Sequence, residues 1–317
     1  IKVIYLLLKD LDIQHNPVMV PEILKYLEVT SGGRYIDCTL GEAGHTKSIL
    51  DASTPGGEVL GIDADHEAIE VSQSRLLDYQ ERFVSVNDNF RNLKKIAMRK
   101  DFIPSHGILM DLGVSSLQLN LETRGFSFMR KSPLDMRFSF NQKLTADQVV
   151  NNFQENELAD ILYNFGEERR ARKIAKIIVQ NRPIKYSSDL AEIIKKNIKV
   201  TNFKINPATK TFQALRIYIN EELSALSDAL EQSLDILGIG GRLAVISYHS
   251  LEDRIVKNFF RKESKYCICL PNVTKCECNH EPKLKIITKK PISPSTNEIA
   301  SNRRSRSAKL RVIERIL

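Results

Sequence analysis

The chain has 317 residues, 42% of them hydrophobic and 27% charged, which is ordinary for a globular protein and enough for one large α/β domain with an insertion, or two modest domains. Five cysteines, four of them clustered, are too few for a secreted disulfide scaffold, and no apolar run reaches the roughly 20 residues that span a bilayer, so a cytoplasmic, non-membrane protein is expected. The net charge of +8 is unevenly placed: residues 254–317 carry 16 Lys/Arg against 5 Asp/Glu, a balance of +11, which leaves −3 for residues 1–253. A basic end on a mildly acidic body suits a polyanionic partner, the alternative being a solvated tail.

Residues 1–14 read as an N-terminal extension, apolar at its start but without a signal peptide's cleavage site. His15 to Met19 lead into a helical pattern from Val20 to Leu27, with Pro21 in its first turn. Tyr35-Ile36 close a buried strand that ends on Asp37. Gly41 and Gly44 then open a loop into the helical pattern Thr46–Leu50. A strand, a glycine turn and a helix start bring backbone close to a nucleotide-like ligand, because a side chain at either glycine would block the approach. The spacing is G-x-x-G, not the dinucleotide G-x-G-x-x-G, and an acid precedes it. A carboxylate there would repel phosphate and favours a positively charged ligand such as S-adenosylmethionine; a plain tight turn is the bland alternative.

A second strand ends on Asp63, about 20 residues past the loop, where a carboxylate holds a ribose diol; Asp63 alone also reads as a helix N-cap. Arg82–Val86 form a third strand, followed by Phe90, which suits either an adenine platform or the core. His106–Asp111 form a fourth strand, again ending in an acid. Strands alternating with helices predict a doubly wound parallel sheet, with ligands beyond the carboxyl ends of the strands. The alternation stops near Ser116. A helical stretch follows, in which Arg172, Lys173 and Lys176 oppose Ala171, Ile174, Ala175 and Ile178, a face open to phosphates or to solvent. The sheet resumes with Gly240–Ser247, so the insertion lies over the expected ligand edge as a lid. Beyond it stand Tyr248 and His249; Ser250 with Asp253 reads as a capping box, and His249 as a candidate substrate contact.

Cys267, Cys269, Cys276 and Cys278 cluster before the next strand with His280 nearby. They could hold a structural zinc, although the C-x-C pairs are tighter than usual, or remain reduced surface thiols. Cys38 reads as a small core or pocket-wall residue. Lys283–Thr288 and Ala308–Ile313 predict a closing hairpin, with the basic stretch Asn302–Ser307 between them suited to phosphate.

From His15 onward the chain resembles the bacterial 16S ribosomal RNA cytosine-N4 methyltransferase family. The matching residues are His15-x-Pro17-Val18, Asp37-x-Thr39-x-Gly41-x-x-Gly44-His45, Asp111–Ser116 with Gln118, Arg124–Arg130 with Pro133–Arg137, Asn164-x-Gly166–Arg169, Asn206–Arg216, His249–Arg254 and Asn302–Arg311. The resemblance implies a Rossmann-like S-adenosylmethionine-dependent methyltransferase sheet at 15–119 and 221–317, with a helical substrate lid at 120–220. It also implies a 16S rRNA substrate, met in the small ribosomal subunit. Its cofactor contacts fall on Ala43, Gly44, His45, Asp63, Phe90, Asp111 and Gln118; the family often has Gly where Cys38 and Ala43 stand. It leaves the catalytic roles open, and the chemistry makes Asp111, Ser115, Ser116 and His249 the candidates: acceptors near the fourth strand tip, with His249 to take the proton. Rival readings are a nicotinamide-dependent dehydrogenase, a non-catalytic RNA-binding or assembly factor, and a methyltransferase acting on protein or a small molecule.

Overall fold

The computed structural model describes residues 17–198, 206–269 and 275–317, so the extension at 1–14 and His15 lie outside the described residues. The chain divides into two compact units, one running to Gly113 and resuming at Leu223–Leu317, the other Val114–Glu222. The insertion expected at 120 therefore begins at Val114, and Ser115, Ser116 and Gln118 belong to the second unit. A motif continuous in sequence, Asp111–Ser116, straddles the boundary, which is why the pattern of residues did not mark it.

The first unit opens with α1 (Val20–Tyr26), where Pro21 occupies a first-turn position whose N–H would go unused. Strands β1 (Arg34–Asp37), β2 (Glu58–Asp63), β3 (Phe83–Asn87) and β4 (Ser105–Asp111) alternate with α2 (Gly44–Ala52), α3 (His66–Arg75) and α4 (Leu93–Arg99). All four strands pair in parallel, β1 lying between β2 and β4 and β3 beside β2. Side chains alternate across a strand, so neighbours feed two cores. Ile36, Leu60, Ile108 and Met110 pack on one face; Tyr35, Val59 and Leu109 pack on the other. Both faces are covered, which is why these strands read as nearly continuous apolar runs.

The second unit's described elements are helices: α5 (Ser116–Asn120), α6 (Ala146–Asn152), α7 (Glu155–Gly166), α8 (Ala171–Gln180), α9 (Ser187–Asn197) and α10 (Thr209–Asn220). Leu158, Leu162, Ile174, Ile178, Leu190 and Leu215 belong to its own core. On α8 the expected apolar residues are buried while Arg172, Lys173 and Lys176 are exposed. The stretch Arg124–Arg137 is structural within this unit. Arg124 is fully buried and its Nη2 donates to the carbonyls of Arg137 and Phe138 at 3.1 and 3.0 Å.

Returning to the first unit, α11 (Glu222–Ile236), whose first residue still belongs to the second unit, runs directly into β5 (Leu237–Ser247). Strand β5 starts three residues before the expected Gly240, because a register shift opposite Ser105 and Gly107 absorbs the glycine-rich stretch. Then follow α12 (Ser250–Glu263), β6 (Leu284–Ile286), α13 (Thr296–Ser301) and β7 (Lys309–Arg315). Strand β5 extends the parallel set, while β7 runs antiparallel to both β5 and β6. The sheet order is β3-β2-β1-β4-β5-β7-β6, the Rossmann-like α/β sheet expected from the sequence. Its order reverses between β1 and β4, and a ligand crevice opens at the carboxyl ends of strands flanking such a point. Among the described residues no helix is long and apolar enough to cross a membrane.

Asn220 ties the second unit's long loop to α10: its Nδ2 donates to the carbonyls of Met136 and Arg216 at 2.7 and 2.9 Å, and its Oδ1 accepts from Phe138 N at 2.7 Å. Asn220→Ala leaves buried backbone groups unpaired, and chemical denaturation is expected to show a loss of about 2–3 kcal/mol. A loss under about 0.5 kcal/mol would mean that the loop is held by other contacts.

Candidate active site at the strand tips

The loop after β1 is shaped from beneath by Asp37. This carboxylate is fully buried; its Oδ1 accepts from Thr39 N at 3.1 Å and its Oδ2 from the Thr46 hydroxyl at 2.7 Å. Burial raises its pKa, an effect that nearby His45 and these hydrogen bonds oppose. Asp37 is therefore a brace within the loop, not the ligand-facing carboxylate the sequence suggested. Thr39 continues the brace to the next strand, its Oγ1 accepting from Asp111 N at 2.7 Å.

Gly41 adopts φ 49°, in the left-handed region, and so aims its N–H at Asp63 Oδ2, 2.8 Å away. Gly44 is also required by packing: a methyl group there would sit 3.0 Å from the Pro17 ring. Ala43 precedes α2 with φ 62°, a left-handed conformation that suits glycine better. Having no side-chain acceptor, it leaves the N–H groups at the start of α2 without a side-chain cap. Cys38 lies in the core with Ile36 and Leu60, and burial pushes its thiol well up.

Asp63 does not cap the helix that follows; Asp65 does, accepting from Glu67 N at 3.1 Å. Asp63 instead accepts from Gly41 N and, at 2.9 Å, from Asp65 N, while burial raises its pKa to about 7. Beyond β3, Asn89 accepts from Arg91 N, starting the 3-10 turn Phe90–Asn92. Phe90 is half-buried and packs against the core.

Asp111 closes β4 with a partner for each oxygen. Tyr248, at the end of β5, donates its hydroxyl to Oδ1 at 2.8 Å, and His45 Nε2 stands 3.4 Å from Oδ2. Burial, and next the adjacent Asp111 carboxylate, push the Tyr248 phenol well above its usual range, so it remains a donor. His45 is only 6% exposed, yet neither ring nitrogen has a hydrogen-bond partner within the protein.

The cap of α12 also differs from the expectation. His249, not Ser250, occupies the N-cap position: its Nδ1 accepts from Glu252 N at 3.4 Å, and the Glu252 carboxylate accepts from His249 N at 3.3 Å. Asp253 is held instead by Arg311, at 2.7 and 3.2 Å. In the second unit Ser115 and Gln118 form a capping box, Ser115 Oγ accepting from Gln118 N and Gln118 Oε1 from Ser115 N, both at 3.1 Å; Ser116 is buried. The four cysteines come together on the segment between α12 and β6. Tyr248, Thr39 and Thr46 were given no role in the site by the sequence reading. An aromatic residue immediately before His249 at a strand tip was the available signal for Tyr248.

A model of the MraW methylase family matches residues 12–316. The chain belongs to this family. Its relatives include proteins named ribosomal RNA small subunit methyltransferase H. The one from Dehalococcoides mccartyi is 52% identical over 303 residues, covering 96% of this chain and 87% of that protein. Those from Halothermothrix orenii and Thermomicrobium roseum are 47% and 46% identical, covering 96% and 95% of this chain and 99% and 94% of their own lengths. The MraW match takes in the strand-tip loop, the second unit and the cysteine segment alike.

Ala43→Gly is expected to stabilise the protein by about 0.5–1 kcal/mol, the relief at φ 62° exceeding the extra entropy of an unfolded glycine. Ala43→Val should destabilise it, since a branched side chain fits that region poorly. Denaturant midpoints ranking Val above Gly would contradict the left-handed geometry.

Proposed function

We propose that this MraW methylase transfers a methyl group from S-adenosylmethionine to the exocyclic N4 of a cytosine in 16S ribosomal RNA, within the small ribosomal subunit and in the cytoplasm. The observation that carries this reading is the Asp111 carboxylate at the switch point, oriented by Tyr248 and facing a buried His45 that stands 3.4 Å from it and makes no hydrogen bond within the protein. Leaving buried imidazole nitrogens without hydrogen bonds is costly, and a polar ligand relieves that cost.

The residues present fit the methyl donor. His45 and the first-turn N–H groups of α2 suit its amino-acid end, because a helix N-terminus attracts a carboxylate. Asp63 suits the ribose hydroxyls, and Phe90 beyond the next strand suits the adenine. When bound, S-adenosylmethionine supplies an electrophilic methyl on a positively charged sulfur. The cytosine amine is a poor nucleophile because its lone pair is delocalised into the ring. Asp111 accepts a hydrogen bond from that amine, draws electron density onto the nitrogen, and receives the proton it sheds. Tyr248 keeps the carboxylate in one orientation, which is where much of the acceleration in such a displacement originates. Ser115 and Gln118 engage one another, and His249 is committed to capping α12, so we assign the proton to Asp111 and not to them.

For the polyanion, the 3-10 turn Arg303–Ser307 presents exposed Arg303, Arg304 and Arg306. Ser305 is buried beneath them and donates to Asn302 O at 2.8 Å, which sets the turn. Guanidinium groups in such a turn suit RNA phosphates, and binding should weaken steeply with salt.

Incubating the purified protein with small subunits from cells lacking this methylation and a radiolabelled donor is expected to label 16S rRNA at one cytosine, located by mass spectrometry. RNA binding without label would favour the assembly-factor reading. Asp111→Asn should lower kcat by about 10²–10⁴-fold with donor affinity changed only a few-fold. Tyr248→Phe should cost about tenfold, as befits one lost hydrogen bond. An Asp111→Asn enzyme at the full rate would sink the proton assignment.

Asp63 adds a pH dependence. Ribose hydroxyls donate to its ionised form, so donor affinity should fall as pH drops below about 7, with proton release on binding that calorimetry in two buffers would detect. The ligand-free protein follows the opposite sign. A carboxyl raised from 3.8 to about 7 contributes stability that is complete below pH 3.8 and is lost as pH rises through about 7. A donor affinity flat from pH 6 to 8 (a window of about one unit either side) would remove Asp63 from the ribose site.

A further inference from the structure

We propose that Cys267, Cys269, Cys276 and Cys278 form a structural zinc site that staples the segment between α12 and β6. All four Sγ atoms lie within 4.8 Å of one another; Cys276 and Cys278 are 3.6 Å apart, and Cys278 and Cys267 are 3.9 Å apart. Four sulfurs at the corners of a tetrahedron, each about 2.3 Å from a central zinc, stand about 3.8 Å from one another. The two separations straddle that value. A disulfide brings its sulfurs to about 2.05 Å, and all four cysteines are free. The sulfurs thus face a common centre instead of bonding in pairs.

Apolar burial does not account for this convergence. Among the described residues of the segment, Tyr266 is 84% and Ile268 40% exposed. A short excursion with such side chains turned outward needs a covalent or metal staple to keep one geometry. The ends of the excursion are already prepared. Lys283 N donates to Glu263 O at 2.9 Å, closing its base. His280 is anchored to the same base, with Nδ1 2.8 Å from Lys265 O and Nε2 3.6 Å from a Glu263 carboxylate oxygen. That contact takes His280 out of the ligand set and leaves four sulfurs. The N–H of Ile268 points at Cys278 Sγ, 3.4 Å away, the kind of outer contact that offsets thiolate charge.

Sulfur donors exclude magnesium and calcium, and a four-thiolate set without an open position is that of structural zinc, each thiol giving up its proton as its sulfur binds the ion. The position of the segment gives the metal a mechanical task. It leads directly into β6, a three-residue strand at the sheet edge that pairs, among the described residues, with β7 alone. So short a strand is weakly held, and a rigid lead-in limits its fraying. This inference is independent of methyl transfer and survives if that reading fails.

Full-length protein, purified without a metal-binding tag under reducing conditions, is expected to contain one zinc per chain by elemental analysis. Cobalt substitution should give the near-ultraviolet sulfur-to-cobalt charge-transfer band and the visible bands of tetrahedral cobalt. Removing the zinc with a chelator should raise hydrogen exchange at Leu284–Ile286. The double variant Cys276→Ser/Cys278→Ser should bind neither metal. Zinc absent even after supplementation, iron in its place, or an octahedral cobalt spectrum would each overturn the assignment, and all three are read on the wild-type chain without relying on a variant that folds.

Discussion

The hydrogen bonds that Asp37 and Asp63 make to the loop after β1 hold the strand tips in one arrangement. Asp37 gathers Thr39 and Thr46, and Thr39 passes the constraint to the backbone of Asp111. Asp63 holds the N–H of Gly41, so the loop is tied to β2 as well. Three adjacent strands thereby share one hydrogen-bonded turn. Such buried carboxylates are stable only while their partners stay in place. The cost is visible in the raised pKa of both acids.

That arrangement separates bracing from binding among residues that look alike in sequence. Asp37, Asp63 and Asp111 each end a parallel strand, yet their surroundings differ. Asp37 has no exposure, and its hydrogen bonds go to Thr39 in the loop and Thr46 in the first turn of α2. Asp63 both ties the loop and keeps a carboxylate poised near neutral pH. Asp111 retains about a sixth of its side-chain surface and has its orientation set by Tyr248. Solvent access thus separates the fully buried Asp37 from the partly exposed Asp63 and Asp111, the two acids assigned to ligand and substrate in the function proposed above.

The cysteine segment shows the same economy on a smaller scale. The sheet can afford a three-residue edge strand if the chain entering it is fixed by other means. In the zinc-bound form proposed above, four converging sulfurs would supply this together with a base closed by Lys283 and His280.

Periodicity and turn residues determined the sheet by themselves, since strands buried on both faces must be continuously apolar and each must end where polar or glycine residues begin. The glycine loop, the acids at the strand ends and the cysteine pairs were legible for the same local reasons. Tertiary structure alone decided which like residue does what. Asp65 rather than Asp63 caps α3, and His249 rather than Ser250 caps α12, because a cap depends on where the backbone leaves extended geometry, a matter of one or two residues. The pairing of Tyr248 with Asp111 joins residues 137 positions apart. No local pattern encodes it; it exists only because β4 and β5 lie side by side and end together.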